Sequence, residues 1–384
     1  MSPIFDRFRS AVRDLRKRKY KASSSQEHCV WKRLPTSAFV NIVAQCTLDD
    51  VYSLSLTCHV LHRRIKQNEY SISQQYLRRR KRGRDITAHE EANTSSPGDD
   101  LTFISDLFPP PPPQYTDEVT QDDRPEYSFG YLADLTRCWT TCIRLSYHLA
   151  AYAVQHHLRT DSVAKVLWSS SKTEKDYVYT KGVSLLQSRI LRPVAYLIFF
   201  LESYASNPRI PSAKPFQTHH SANIQESILQ HTPFNDTEAL LSTHHCMHLL
   251  CSSVRRMMTP DIPYASTENW VSLLLTMSTL ERMVQFFIAA AEDGNEESSA
   301  SASTTFTWNR RREFLLQMRK DLDEYMALTS DGFSGSLRLR GIWFEAAEKE
   351  LNRRESLPHI SEEPVPILHG SGVMLRCRYC EDER

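Results

Sequence analysis

The sequence predicts an all-α protein, and three observations lead there. From about Tyr127 apolar side chains recur at three- and four-residue steps for most of the remaining chain, the period of a helix that buries one face. Between residues 33 and 65 a shorter stretch, RLPTSAFVNIVAQCTLDDVYSLSLTCHVLHRRI, carries the same period with helix-start signals ahead of it. No internal repeat occurs at the periods of solenoids or propellers, which removes those architectures.

Composition sets the frame for this reading. With 384 residues, 10 Gly, and 19 Pro gathered in a few stretches, the chain suits folded helical parts separated by polar segments. The formal net charge of +1 excludes a protein that binds nucleic acid through bulk charge, because phosphate binding needs an excess of Lys and Arg. The distribution is polarised, however. Residues 1–86 hold 19 basic and 7 acidic side chains, and residues 87–126 hold 1 basic and 10 acidic.

The elements follow in order. Residues 1–32 read as a basic flexible leader; they lack the continuous apolar core of a secretory signal, so an intracellular protein is expected, in cytoplasm, nucleus or both. In the island that follows, Pro35 suits the approach to a helix, and Thr36 or Ser37 is expected to cap it. Its apolar side is read as Phe39, Ile42, Val43 and Cys46. Thr47 and Asp50 have capping-box spacing, and Val51, Leu54, Cys58, Leu61 and Ile65 trace a second face, with Leu48, Leu56 and Val60 off it. A unit this short rarely stands alone, so its remaining apolar side chains call for a partner surface.

Residues 78–126 read as a disordered linker, basic and then acidic. FPPPPPQ within it is a semi-rigid extended piece, and LTFISDLF at 101–108 is its one apolar run. A helical domain of about six helices is expected over 127–355, with a flexible break near 293–305 and a flexible tail over 356–384. Its helices are placed at about 127–154, 179–205 with Pro193 as a kink or break, 235–258 with Asn235 and Glu238 at capping-box spacing, 267–291, 308–329 and 337–354. The apolar runs VAYLIFFL and Trp270–Ala291 are read as buried helices: one is too short to span a bilayer and the other carries Glu281 and Arg282 near its middle. Trp139, Trp168, Trp270, Trp308 and Trp343 are assigned to cores.

Several residue clusters carry possible chemistry. HHCMHLLC places His244 and His248 four apart on one helical face, the spacing of zinc-binding helices. No Glu lies between them, and Met247, Leu250 and Cys251 mark an apolar side, so core histidines are expected there. Cys377 and Cys380 form half of a zinc-knuckle ligand set. No metal, cofactor or catalytic centre is expected, and the nine Cys are read as reduced thiols. Two basic clusters, Arg16, Lys17, Arg18 and Lys19, and Arg78, Arg79, Arg80, Lys81 and Arg82, are candidate nuclear-import signals.

Leu34-Pro35, Phe39 and Ile42 after it, Asp49-Asp50 entering a second helix, and SLSLTCHVLHRRI together resemble an F-box of the fungal type over about 33–77. His59 stands where that family usually has Arg or Lys, Leu61 where many members have Trp, and Tyr70 near a later Trp. The resemblance implies a three-helix unit that docks on a Skp-family adaptor and so joins a cullin-RING (SCF) ubiquitin ligase as a non-catalytic substrate receptor. It further implies that Leu34, Pro35, Phe39, Ile42, Val43, Leu54, Leu56 and Leu61 face the adaptor or support that face. Two alternatives stay open: an F-box-like scaffold with no part in ubiquitination, and a helical nuclear factor using the basic clusters.

Overall fold

A computed structural model describes residues 30–87, 101–111, 127–160, 171–205, 218–258, 271, 274, 280–296, 310–328 and 340–354. Every regular element among the described residues is helical, in agreement with the all-α expectation. The chain divides into two compact units, one of Met1–His89 with Pro109–Leu135 and the other of Glu90–Phe108 with Thr136–Arg384.

The first unit begins with a short helix α1 (Val30–Arg33), then α2 (Thr36–Val43), α3 (Leu48–Thr57), α4 (His59–Gln67) and α5 (Glu69–Thr87). Helix α2 starts from Pro35 with no side-chain cap, so neither Thr36 nor Ser37 caps it; Pro35 fixes an extended entry and its carbonyl accepts the Phe39 N–H at 2.9 Å. The buried side of α2 is Phe39, Val40 and Val43, with Val40 in the place expected for Ile42. Helix α3 has the expected capping box: the Asp50 N–H donates to Thr47 Oγ1 at 3.2 Å and the Thr47 N–H to Asp50 Oδ2 at 3.3 Å. The second apolar face is not one helix. Cys58 is extended (φ −158°, ψ 155°) and exposed, and the chain restarts as α4 at His59, which turns Leu61 and Ile65 inward on a new axis.

One side chain ties this unit together. Arg64 of α4 donates to the carbonyls of Trp31 and Leu34, and its guanidinium lies 4.5 Å from the centre of the Phe39 ring, which meets Trp31 edge-on at 6.2 Å. Helix α5 adds Ile72, Tyr76 and Leu77 to the core. It continues to Thr87, so the basic run 78–84 is helical, where a linker was expected. The chain returns to this unit at residues 127–135, the first turns of a later helix. There Glu69 accepts the Phe129 N–H at 2.7 Å, Tyr127 meets Tyr70 at 5.6 Å, and Phe129 meets Tyr52 at 6.3 Å.

The second unit is larger and strongly aromatic. It begins with α6 (Leu101–Leu107), whose Leu101, Ile104 and Leu107 are buried; the apolar run of the expected linker is thus part of a core. Phe103 sits between Trp139 at 6.4 Å and Tyr196 at 5.7 Å. Those rings come from α7 (Phe129–Thr160) and α8 (Lys172–Ala205), long helices that approach closely at Gly182, where an added Cβ would lie 3.2 Å from Val154. Gln187 reinforces the crossing with a 3.2 Å bond to the Ile143 carbonyl. Pro193 lies inside α8 without ending it. Helix α8 alone among the described residues contains a stretch long and apolar enough to cross a membrane, and most of that stretch is buried inside the protein.

Helix α9 (Thr218–Gln230) was not foreseen. A turn then leads to α10 (Thr237–Met258), whose cap is Asp236 in place of Asn235: Asp236 Oδ1 accepts the Glu238 N–H at 3.0 Å. Helices α11 (Leu280–Glu296) and α12 (Arg310–Leu328) pack on each other through Phe286 and Phe314, 5.6 Å apart, and an Arg282–Asp321 ion pair. A π-helical turn, Arg340–Phe344, leads into α13 (Glu345–Arg353) and delivers Trp343 to the core, 4.7 Å from Phe200 and 5.8 Å from Phe234. Trp139 and Trp343 are buried as expected; Trp168, Trp270 and Trp308 lie outside the described residues.

Arg354 locks α13 down. Its guanidinium donates to the carbonyls of Phe234 at 2.8 Å, Asn235 at 3.2 Å and Leu229 at 3.2 Å, while Glu350 holds it from the other side. Hydrogen bonding from Arg353, with Arg354 adding to it, outweighs the burial of Glu350 and lowers its carboxyl to about 2.

Candidate functional site

The resemblance grouped eight residues, and the structure separates them by role. Phe39, Val43 and Leu61 are buried and form the small core. Leu34 and Leu54 are half-buried, Leu34 lending its carbonyl to Arg64. Pro35 is exposed, Ile42 is 43% exposed and Leu56 is 84% exposed. The two sets have different physics: the first holds the unit together, and the second leaves apolar surface in water.

Tyr52 joins the exposed set at 46%, and sequence reasoning missed it. It lies one helical turn before Leu56, so the two share a face of α3. The signal was present, since Tyr52 and Leu56 repeat at four residues off the Val51 stripe. Helix α3 buries only Val51 fully; its capping box and its packing on α4 hold it in place while Leu56 stays in water and Tyr52, edge-on to Phe129, remains partly exposed. Ile42, Tyr52 and Leu56 fall within fifteen residues, whereas the other large exposed apolar side chains, Tyr147, Tyr177 and Leu316, are spread over three helices of the larger unit. Scattered apolar side chains on a surface are ordinary, whereas these three are concentrated on one small unit.

The second basic cluster is partly engaged. Arg79 donates to Asn41 Oδ1 at 3.3 Å and the Arg80 guanidinium stacks 3.7 Å from the Tyr76 ring centre, while Arg78 is exposed. Lys81 and Arg82 continue the same helix. Arg16, Lys17, Arg18 and Lys19 lie outside the described residues, as do Cys377 and Cys380. Cys46, Cys58, Cys138, Cys142, Cys246 and Cys251 are free thiols. Burial pushes the Cys246 thiol up to about 12, which makes it an inert packing group.

The histidine cluster sits in the larger unit. His244 and His248 are each 2% exposed, as core residues should be, yet they converge. Their Nε2 atoms are 2.9 Å apart and their rings perpendicular at 4.4 Å. Burial lowers His244 to about 3, with the charge of His245 adding to it. Burial likewise lowers His248 to about 2, helped by His244, His245 and Arg255. Both imidazoles are therefore neutral at pH 7. The Nδ1 of His244 is buried without a hydrogen-bond partner. Phe344 covers the pair, 4.5 Å from His248 and 5.8 Å from His244. Glu348 of α13 brings a carboxylate to the same place, and the three donor atoms lie within 4.8 Å of one another. Glu348 escaped the sequence reading because about a hundred residues separate it from the histidines.

Compared with family models, curated proteins and solved structures, the chain matches none.

Proposed function

We propose that this protein is an F-box-type adaptor: its small helical unit docks on a Skp-family subunit, and the larger helical unit recruits a protein substrate to a cullin-RING ubiquitin ligase. The observation that carries the reading is the exposed apolar set Ile42, Tyr52 and Leu56 on a unit with its own anchored core, Phe39, Val43, Leu61 and the Arg64 clamp. Pre-ordered apolar side chains bind a partner without a large ordering cost. The protein performs no bond chemistry in this role. It raises the concentration of substrate beside a charged ubiquitin-conjugating enzyme, as tethering does for any linked pair. Such a machine places the protein in cytoplasm or nucleus.

The test is co-purification of a Skp-family adaptor with the full chain, with Leu56→Lys, and with Leu34→Ala combined with Pro35→Ala. Adaptor recovered with the wild-type chain and lost from both variants supports the reading. Failure of the wild-type chain to bind, or full retention by both variants, overturns it. Reconstitution with ligase and the co-purifying proteins then separates a substrate receptor from a scaffold: ubiquitin transfer to one of them supports the receptor.

A further inference from the structure

We propose that His244, His248 and Glu348 form a zinc site that clips helix α13 to helix α10. The donor set is two imidazole nitrogens and one carboxylate, the His2Glu combination that zinc accepts with a fourth position left for water. The histidines come from successive turns of one helix and the carboxylate from a second, so an ion here bridges the two elements.

The geometry is close to what the ion needs. Zn–N bonds of about 2.0–2.1 Å in a tetrahedron place two nitrogens about 3.3 Å apart. The Nε2 atoms stand at 2.9 Å, so the imidazoles need to part by only a few tenths of an ångström. Glu348 is half-buried with a long rotatable side chain, and one of its carboxylate oxygens and one ring nitrogen of each histidine lie within 4.8 Å of one another.

The chemistry of the metal-free pair points the same way. Two neutral imidazoles whose Nε2 atoms face each other at 2.9 Å share at most one N–H between them. A cation turns both inward lone pairs to use. Phe344 packs against both imidazoles on one side of the pair.

This site would serve the larger unit whether or not the smaller one binds an adaptor, so the two proposals fail separately. The experiment uses the full chain purified without a polyhistidine tag. Metal content is measured by elemental analysis, and zinc affinity by competition with a chromophoric chelator. About one zinc per chain is expected, with a chelator-induced fall in Tm. Glu348→Gln keeps the size and helical position of the side chain and should weaken zinc at least about tenfold while leaving far-UV helicity intact. His244→Ala with His248→Ala should abolish binding, and Cys377→Ser with Cys380→Ser should leave it unchanged. Absence of zinc binding by the folded chain overturns the proposal. So does undiminished binding by Glu348→Gln and the double histidine variant, or loss confined to the cysteine variant.

Discussion

The two units solve the problem of burying apolar surface in different ways. In the larger one, aromatic rings from distant helices close on each other: Phe200, Phe234 and Trp343 are fully buried, and Tyr196, Phe199 and Phe103 extend the cluster. In the smaller one the helices are short, a single arginine spans the core, and three large apolar side chains stay in water within fifteen residues. Stability and exposed surface are thus separately placed. The same small unit keeps Phe39 at 0% exposure and leaves Leu56 at 84%.

The comparison can be broken most strongly at its two centres. Trp343→Ala and Phe39→Ala each remove a fully buried ring, and each should cost about 3–5 kcal/mol, read as a lowered urea midpoint in the unit concerned. Equal and small effects would mean that neither core is packed as described. A smaller effect comes from pH. The Glu350 carboxyl is lowered to about 2 in the folded state against an ordinary 4.5, so its contribution is present above pH 4.5 and is lost as pH falls toward 2. Glu350→Gln should remove on the order of 2 kcal/mol at pH 7 from the larger unit, after screening of its exposed partner Arg353, and should flatten the dependence of Tm on pH in that window.

Thr47→Ala deletes the cap of α3 and should cost about 1 kcal/mol, confined to the smaller unit. Leu56→Lys sharpens the contrast by doing almost nothing to stability, within about 0.5 kcal/mol by denaturant titration, because its side chain touches water in the folded state. A large destabilisation by that substitution would show Leu56 to be a core residue and remove the basis for a docking surface.

Much of this fold was legible because it is local. The Thr47–Asp50 box is written in adjacent residues, and the stripes of α7 and α10 repeat without interruption over many turns. The break at Cys58 was not, because Val51, Leu54, Cys58, Leu61 and Ile65 stay in phase across it; periodicity reports a face and is blind to an extended residue that preserves the count. The exchange of Val40 for Ile42 has a similar cause, since both are apolar and only the approach of α5 to α2 decides between them. Burial of α6 depends on Trp139 and Tyr196, far along the chain, so an isolated LTFISDLF between polar stretches reads as linker. Helix α9, THHSANIQESILQ, has too few apolar residues to announce itself. In the candidate site the burial of Phe39, Val43 and Leu61 follows their helical spacing, whereas exposure of Tyr52 and convergence of Glu348 on the histidines are tertiary facts.

The Arg354 clamp also has a meaning for synthesis on the ribosome. Phe234 and Asn235 are translated well over a hundred residues before the side chain that grips their carbonyls, and Trp343 arrives almost as late. During that interval the rings of Phe200 and Phe234 lie without their cover, the kind of transient apolar surface that chaperones bind. Completion of the larger unit is therefore a late event in the life of each new chain, and a nascent chain released before residue 340 would leave the Trp343 side of its aromatic core open.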